Sequence, residues 1–388
     1  MKSVYLCASS RTPIGTFLGG LSSLTAVELA MHVSKNVIAK SGVDPKKIDQ
    51  LILGCVLTSG LGQAPARQVL IASGLPKSAQ ALTINKVCSS GLKAVMLASA
   101  EIMAGNSHAI LAGGTESMSN APFLDVDLRK GKKLGHVKLY DTVLKDALWD
   151  VYNDFHMGNA AELCASKYSF TREQQDAFAI ESYKRAQAAI AGGVFKDEIV
   201  VIETNKKILV SEDEEPGKAS LDKIPTLKPA FDVKGTITAA NASSINDGAS
   251  MILVCSEEFV KVNNLKPQAR IVSYDSFGQE PEWFTTAPVG AIKGALAKAN
   301  LNISQIDLFE INEAFSAVAL ACQKELGIDS STLNINGGAV ALGHPVGASG
   351  ARILCTLLHS LIRTNKKYGA VAICNGGGEA TSMIVERV

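Results

Sequence analysis

Cys88 stands in Asn85-Lys86-Val87-Cys88-Ser89-Ser90-Gly91-Leu92, where a predicted strand ends near Val87 and a helix begins near Ser90. A helix N-terminus offers free N–H groups and the positive end of the dipole, which favour a thiolate and so suit a nucleophile. Ser89 and Ser90 could instead be the residues that matter there, as caps. A second cluster is the glycine-rich run 337–350, with His344-Pro345 at its centre as a candidate base. Its glycines permit tight turns around a ligand. It matches neither the Gly-x-Gly-x-x-Gly dinucleotide pattern nor the Walker pattern, and a structured turn without chemistry also fits. The third is Cys374-Asn375-Gly376-Gly377-Gly378-Glu379, a cysteine at the carboxyl end of a predicted strand, where ligands of α/β sheets sit. The fourth is Asn312, between a strand and a helix: its amide can hold a water or a carbonyl, but as an N-cap it would need no further function.

The elements that must bring these segments together show an internal repeat. Ile48-Asp49-Gln50-Leu51 resembles Ile306-Asp307-Leu308-Phe309, Ser90-Gly91 resembles Ser349-Gly350, and Gly113-Gly114-Thr115-Glu116 resembles Gly376-Gly377-Gly378-Glu379, at offsets of 258, 259 and 263. Nearly equal offsets in one order imply two halves of one topology. Strand-like runs such as 50–55, 109–113, 306–311 and 370–374 alternate with helical patterns at 92–103, 314–326 and 351–362. That alternation predicts βαβ units and a mainly parallel sheet in each half. Between Met118 and about Asn246 the texture changes. Ser169 or Thr171 can cap a long helix through about Ile190, ended by Gly192-Gly193. This stretch reads as an inserted domain. Its polar tracts at 129–133 and 212–217 read as solvated surface.

With 388 residues, 47% of them hydrophobic and 19% charged, the chain has material for two or three cores and is neither a small binding module nor a disordered chain. A net charge of +1 without long single-sign blocks lacks the footprint of a nucleic-acid binder. The eight cysteines contain no Cys-x-x-Cys pair and the six histidines are scattered, so zinc spacing is absent and free thiols in a reducing compartment are expected. The first residues read as a buried strand rather than a targeting segment, and no apolar run approaches membrane-span length. A cytoplasmic protein without membrane contact is expected.

Taken together, these segments resemble the thiolases, and within them the acetoacetyl-CoA type. Arg11-Thr12-Pro13-Ile14-Gly15, Cys88-Ser89-Ser90-Gly91, the segments 113–118, 312–315 and 343–347, and Cys374-Asn375-Gly376-Gly377-Gly378 all occur in the family's order. The resemblance implies an α/β, thiolase-like fold of two duplicated halves, five-layered αβαβα, with an inserted loop domain. The halves would span 1–118 plus 246–270 and 271–388, and the loop domain 119–245. The implied activity is acetyl-CoA C-acetyl transfer: condensation of two acetyl-CoA to acetoacetyl-CoA and CoA, and its reverse, through an acyl-cysteine. Cys88 would be the acylated nucleophile, His344 its activator and Cys374 the general acid/base. Asn312 would hold a water beside the enolate, and the backbone N–H groups of Cys88 and Gly376 would form an oxyanion hole. His156, Met157, Phe231, Ser243, Ala314 and Phe315 would line the acyl and pantetheine pocket. Lys218 could approach the adenine. No cofactor is implied, the CoA thioesters being substrates. A homotetramer is implied, with Ala121–Leu139 as its arm. Pro216 stands where potassium-responsive members carry tyrosine, so potassium activation is not expected.

Two other readings remain open. A degradative 3-ketoacyl-CoA thiolase for longer chains differs mainly at the pocket wall, where Met157 favours short chains. A lipid-binding relative without activity would be expected to lack one of Cys88, His344, Asn312 and Cys374, and all four are present.

Overall fold

A computed structural model of the chain describes residues 3–388. Nine principal strands, with the short pair Gly15–Thr16, form one ten-stranded sheet. They are β1 Val4–Arg11, β2 Gln50–Gly54, β3 Gln80–Ile84, β4 Ala109–Ser117, β5 Asn246–Ser256, β6 Ala269–Gly278, β7 Leu308–Ile311, β8 Tyr368–Asn375 and β9 Glu379–Arg387. Eight helices matter to the site: α1 Ala26–Ser41, α2 Pro65–Ala72, α3 Ser90–Ala104, α4 Met157–Tyr168, α5 Arg172–Ala191, α6 Ala287–Ala299, α7 Ser316–Leu326 and α8 Val346–Arg363.

The strand order is β7-β8-β9-β6-β1-β5-β4-β2-β3. Its first four strands and last five are the two halves, which meet where Tyr5 and Leu6 pair with Arg270 and Ala269. The repeat is visible element by element: β1-α1-β2-α2-β3-α3-β4-β5 is followed by β6-α6-β7-α7-α8-β8-β9. In the second half a single parallel bridge, Phe309 to Leu333, stands where the first half has β3. The chain leaves the first half after β4 and returns at β5, so the insert occupies a connection that the second half makes as a direct β8–β9 turn.

The expectation of a mainly parallel sheet is corrected. Only β7–β8, β2–β3 and β2–β4 pair in parallel, while β1, β5, β6 and β9 run antiparallel to their neighbours. Crossover helices enforce parallel pairing only inside each βαβ unit; the strands that join the halves are not linked by crossovers. Five layers result. Leu29, Val33 and Val37 of α1 and Val69 of α2 cover one outer face, and Ile292 of α6 with Cys322 of α7 cover the other. Between the two halves of the sheet, Leu92, Val95 and Met96 of α3 pack with Ile353, Leu354 and Leu357 of α8.

The central helices approach closely because small residues face each other: a Cβ on Gly91 of α3 would lie 2.8 Å from Ala351 N, and one on Gly350 of α8 2.6 Å from Leu92 N. Strand β4 meets α8 as closely, since a Cβ on Gly114 would lie 2.0 Å from the Gly347 carbonyl oxygen, so only glycine fits there. The segment Val87–Ala104 is apolar and long enough to cross a membrane, contrary to the sequence reading; it is the α3 segment, more than half buried within the molecule. In the insert, α5 begins as expected at Thr171, whose side chain caps Gln174 in a reciprocal box, and ends at Gly192.

Candidate active site

Repetition of the fold places Cys88 and His344 at corresponding points, just before the N-termini of α3 and α8. Val87, immediately before Cys88, has φ +46°, a left-handed conformation costly for a β-branched residue. Its neighbours hold it: Val87 N–H donates to Asn85 Oδ1 (2.9 Å), and the Ser90 hydroxyl donates to the Val87 carbonyl (2.6 Å) while accepting from Lys86 N–H (2.8 Å). Ser90 thus braces the turn, and neither Ser89 nor Ser90 makes a side-chain cap on α3.

Ser89 reaches the other cysteine segment. Its hydroxyl donates to Asn375 Oδ1 at 2.7 Å, one residue beyond Cys374. Lys86 pairs with Glu379 at 2.5 Å across the same junction. These bonds hold the Cys88 turn against the end of β8, with the Gly376 N–H near enough to the Cys88 sulfur to favour its thiolate. Cys374 is fully buried, packed with Met157, Phe284, Ala314 and Phe315. Burial, then the neighbouring Cys88, hold its thiol well above the usual range.

Cys88 itself departs from expectation. The backbone N–H groups of Cys88 and Gly376 favour its thiolate, but burial outweighs them and Glu116 adds a smaller opposing influence, so the thiol is pushed up to about 12. At rest it is a thiol, because two N–H dipoles cannot replace the water a sulfur anion loses. A base is therefore needed, and His344 has the right tautomer. The Ser349 hydroxyl donates to the Pro345 carbonyl (2.9 Å), so at 2.6 Å it accepts from His344 Nδ1–H, leaving Nε2 unprotonated. Burial, and after it the charge of Arg352, lower His344 to about 3, which keeps the ring neutral. Its backbone N–H donates to Asn246 Oδ1 (2.8 Å), and Gly343, at φ +102°, leaves room for that amide.

Asn312 follows β7, and its Nδ2 lies 3.4 Å from His344 Nε2. It does not cap α7, whose N-cap position is Phe315. Its Oδ1 is buried without a partner among the described residues. An unsatisfied buried acceptor costs about 1–3 kcal/mol, so this atom is suited to bind a water or a substrate group.

One cavity of about 360 Å³ gathers these groups. Of the residues singled out from sequence, Cys88, His344, Gly376, His156, Met157, Phe231, Ser243, Ala314 and Phe315 line it. Cys374 and Asn312 lie just behind its wall. His156 stacks on Phe231 with centroids 4.7 Å apart, and its Nδ1 accepts from Gly158 N–H, so Nε2 carries the proton. The Ser243 hydroxyl donates to the Ala314 carbonyl (3.0 Å), which leaves its lone pairs free. Lys218 does not line the cavity, and its ammonium donates to Thr16 Oγ1 at 2.6 Å. Sequence reasoning missed Phe284 and Leu148 in the wall, apolar residues with no motif around them, and Met118, which closes the segment 113–118 but was given no role. It also missed Ser349, which lies within the His344 run and could have been found as the only hydroxyl there.

Behind both turns sits Glu116, fully buried. Its carboxylate accepts from Val56, Leu57 and Gly347 N–H, each at 3.0 Å, tying the start of α8 to the loop after β2. Burial raises it to about 7 despite those bonds.

Residues 4–258 match the thiolase N-terminal domain and residues 265–387 the thiolase C-terminal domain. The acetyl-CoA acetyltransferase of Schizosaccharomyces pombe is 48% identical over 392 residues, covering 99% of each chain. The cytosolic acetyl-CoA acetyltransferase of Gibberella zeae is 48% identical over 393 residues, covering 100% of this chain and 99% of that protein. Among solved structures, the Acat5 thiolase from Ascaris suum in complex with coenzyme A has a TM-score of 0.95 at 46% identity over 100% of both chains. Human mitochondrial 3-ketoacyl-CoA thiolase in complex with CoA has a TM-score of 0.97 at 39% identity, covering 100% of this chain and 98% of that one.

Proposed function

The chain belongs to the thiolase family, and from that premise we propose that it is an acetyl-CoA acetyltransferase. It condenses two acetyl-CoA to acetoacetyl-CoA and CoA and runs the reverse thiolysis. The observation that carries this reading is the convergence of Cys88, the Gly376 N–H and neutral His344 on one largely apolar cavity, with Cys374 and Asn312 behind it.

In the first half-reaction His344 Nε2 takes the Cys88 proton as the sulfur attacks the acetyl carbonyl. The tetrahedral oxyanion forms against the N–H groups of Cys88 and Gly376, the carbon–sulfur bond to CoA breaks, and the departing CoA thiolate takes the proton of Cys374, leaving Cys374 as a thiolate and the Cys88 proton on His344 until Cys88 is released. In the second, Cys374 removes an α-proton from a second acetyl-CoA. The enolate oxygen is stabilised by His344 and a water on Asn312, and the carbanion attacks the Cys88 thioester. Collapse of that adduct releases acetoacetyl-CoA and restores Cys88. A Cys374 thiol held high by burial is a strong base once ionised, as removal of a weakly acidic C–H requires.

Met157 and Phe231 narrow the acyl end. The side chain of Met157 comes within 3.4 Å of where a Gly376 Cβ would stand, so this wall closes the cavity next to the glycine whose N–H faces Cys88. The enzyme should therefore prefer acetoacetyl-CoA to 3-ketohexanoyl-CoA in thiolysis by at least about tenfold in kcat/KM. Equal values would favour the longer-chain degradative reading, which the likeness to 3-ketoacyl-CoA thiolase keeps in view. The Gibberella relative, named as cytosolic, supports a cytoplasmic location. Exposed Phe123, Leu134 and Leu139 on the arm support a homotetramer.

A further inference from the structure

Two arginines are buried near the site, and they differ in one respect. Arg11 is fully satisfied: Nε donates to Glu198 (2.6 Å), the two terminal nitrogens donate to Asp213 (2.6 and 2.9 Å), and one of them also reaches the Thr12 carbonyl (3.2 Å). That is an ordinary clip between the first half and the insert. Arg352 is only 2% exposed, yet none of its three guanidinium nitrogens has a hydrogen-bond partner among the described residues. Its neighbouring carboxylate is Glu310, 4.0 Å away and equally buried. A guanidinium so placed is costly to keep and contributes little to stability.

Position along the chain gives it a use. Arg352 shares α8 with Ser349 and follows His344 by two turns. Glu310 lies two residues before Asn312, at the end of β7. The pair therefore spans the two elements whose ends carry the 3.4 Å contact between Asn312 and His344. Burial lifts Glu310 to about 8, with Arg352 the main influence holding it down, and the charge of Arg352 also reaches His344.

We propose that Arg352, acting through Glu310, is a positioning residue for the Asn312–His344 pair, fixing the spacing of α8 and β7 at which the enolate oxygen of the second acetyl group is held. This rests on the acetyltransferase reading. Cys88 stands just before α3, and its approach to His344 is set by the packing of α3 on α8, so acyl transfer to Cys88, which needs His344 but not Asn312, depends less on the spacing of α8 and β7 than condensation does.

The test uses the full-length enzyme. Arg352→Met alone leaves the buried Glu310 without its guanidinium neighbour and can fail to fold, so the double variant Arg352→Met/Glu310→Gln replaces both ionisable groups at similar volume, and Arg352→Lys keeps the charge on a shorter reach. The double variant should acquire acetyl on Cys88 from acetyl-CoA, seen by mass spectrometry, while kcat for acetoacetyl-CoA formation falls at least about tenfold with KM little changed. Arg352→Lys should fall between it and the unmodified enzyme. Condensation rates within about twofold of the unmodified enzyme in both variants would overturn the inference. So would losses of turnover matched by equal losses of Cys88 acetylation, and if the double variant does not fold, Arg352→Lys alone decides on the same criteria. An unmodified enzyme inactive on acetoacetyl-CoA would instead overturn the functional reading itself.

Discussion

The proposed nucleophile, Cys88, is held as a thiol in the empty cavity. With Cys88 held at about 12 and His344 at about 3, proton transfer between them is unfavourable in the empty cavity. Inactivation by iodoacetamide should then accelerate about tenfold per pH unit from pH 7 to 10 without levelling. A plateau at neutral pH would reveal a resting thiolate–imidazolium pair instead. Ser349 is the second lever at this scale. Ser349→Ala removes the acceptor that fixes the His344 tautomer and should lower kcat by about tenfold to a hundredfold in steady-state assays, with the fold intact. Legibility at this scale was uneven. Cys88, His344 and Cys374 announce themselves because each sits in a short run of glycines or small polar residues at an element boundary, and Asn312 because it falls between a strand and a helix. Arg352 does not, and Glu116 shows only as part of a glycine-rich repeat: that a charge is buried leaves no mark in a linear pattern until the elements around it are assembled.

Among the elements, α3 and α8 set the geometry, and glycines decide how closely they and the sheet approach. Gly114→Ala would drive a methyl group into the Gly347 carbonyl and displace the start of α8, where His344 is held. It should destabilise the protein by about 1–3 kcal/mol in chemical denaturation, with activity falling further than stability. Gly217→Ala, where an added Cβ meets nothing, is the control and should stay within about 0.5 kcal/mol. These glycines also explain what the sequence concealed. The helix α8 begins at Val346, five residues before the helical pattern at 351–362, because Gly347 and Gly350 are poor helix formers required by packing. Strand direction was hidden for another reason. Apolar runs such as those of β5 and β9 look alike whether they pair in parallel or antiparallel, and only the connections distinguish them.

At the scale of the molecule, duplication is what builds the active site. Each half supplies one helix N-terminus, the second half adds Cys374 and Asn312, and the insert supplies Met157, His156 and Phe231 as the cover. The repeat offsets made that plan visible, while the ten-stranded sheet uniting the halves was not. The exposed arm belongs to this scale too. Leu134, 94% exposed, and Leu139, 61% exposed, should be buried in a tetramer, so replacing both with serine should yield dimers by light scattering. The central claim, however, is the division of labour between two cysteines joined only by folding. It is tested most directly by mixing acetyl-CoA with the unmodified enzyme and with the Cys88→Ser and Cys374→Ser variants, then locating the acetyl group by peptide mass spectrometry. Acetyl should appear on Cys88 in the unmodified enzyme and in Cys374→Ser, which condenses poorly, and should be absent from Cys88→Ser. Acetyl carried by Cys374, or by Cys88→Ser at another residue with turnover intact, would contradict the account.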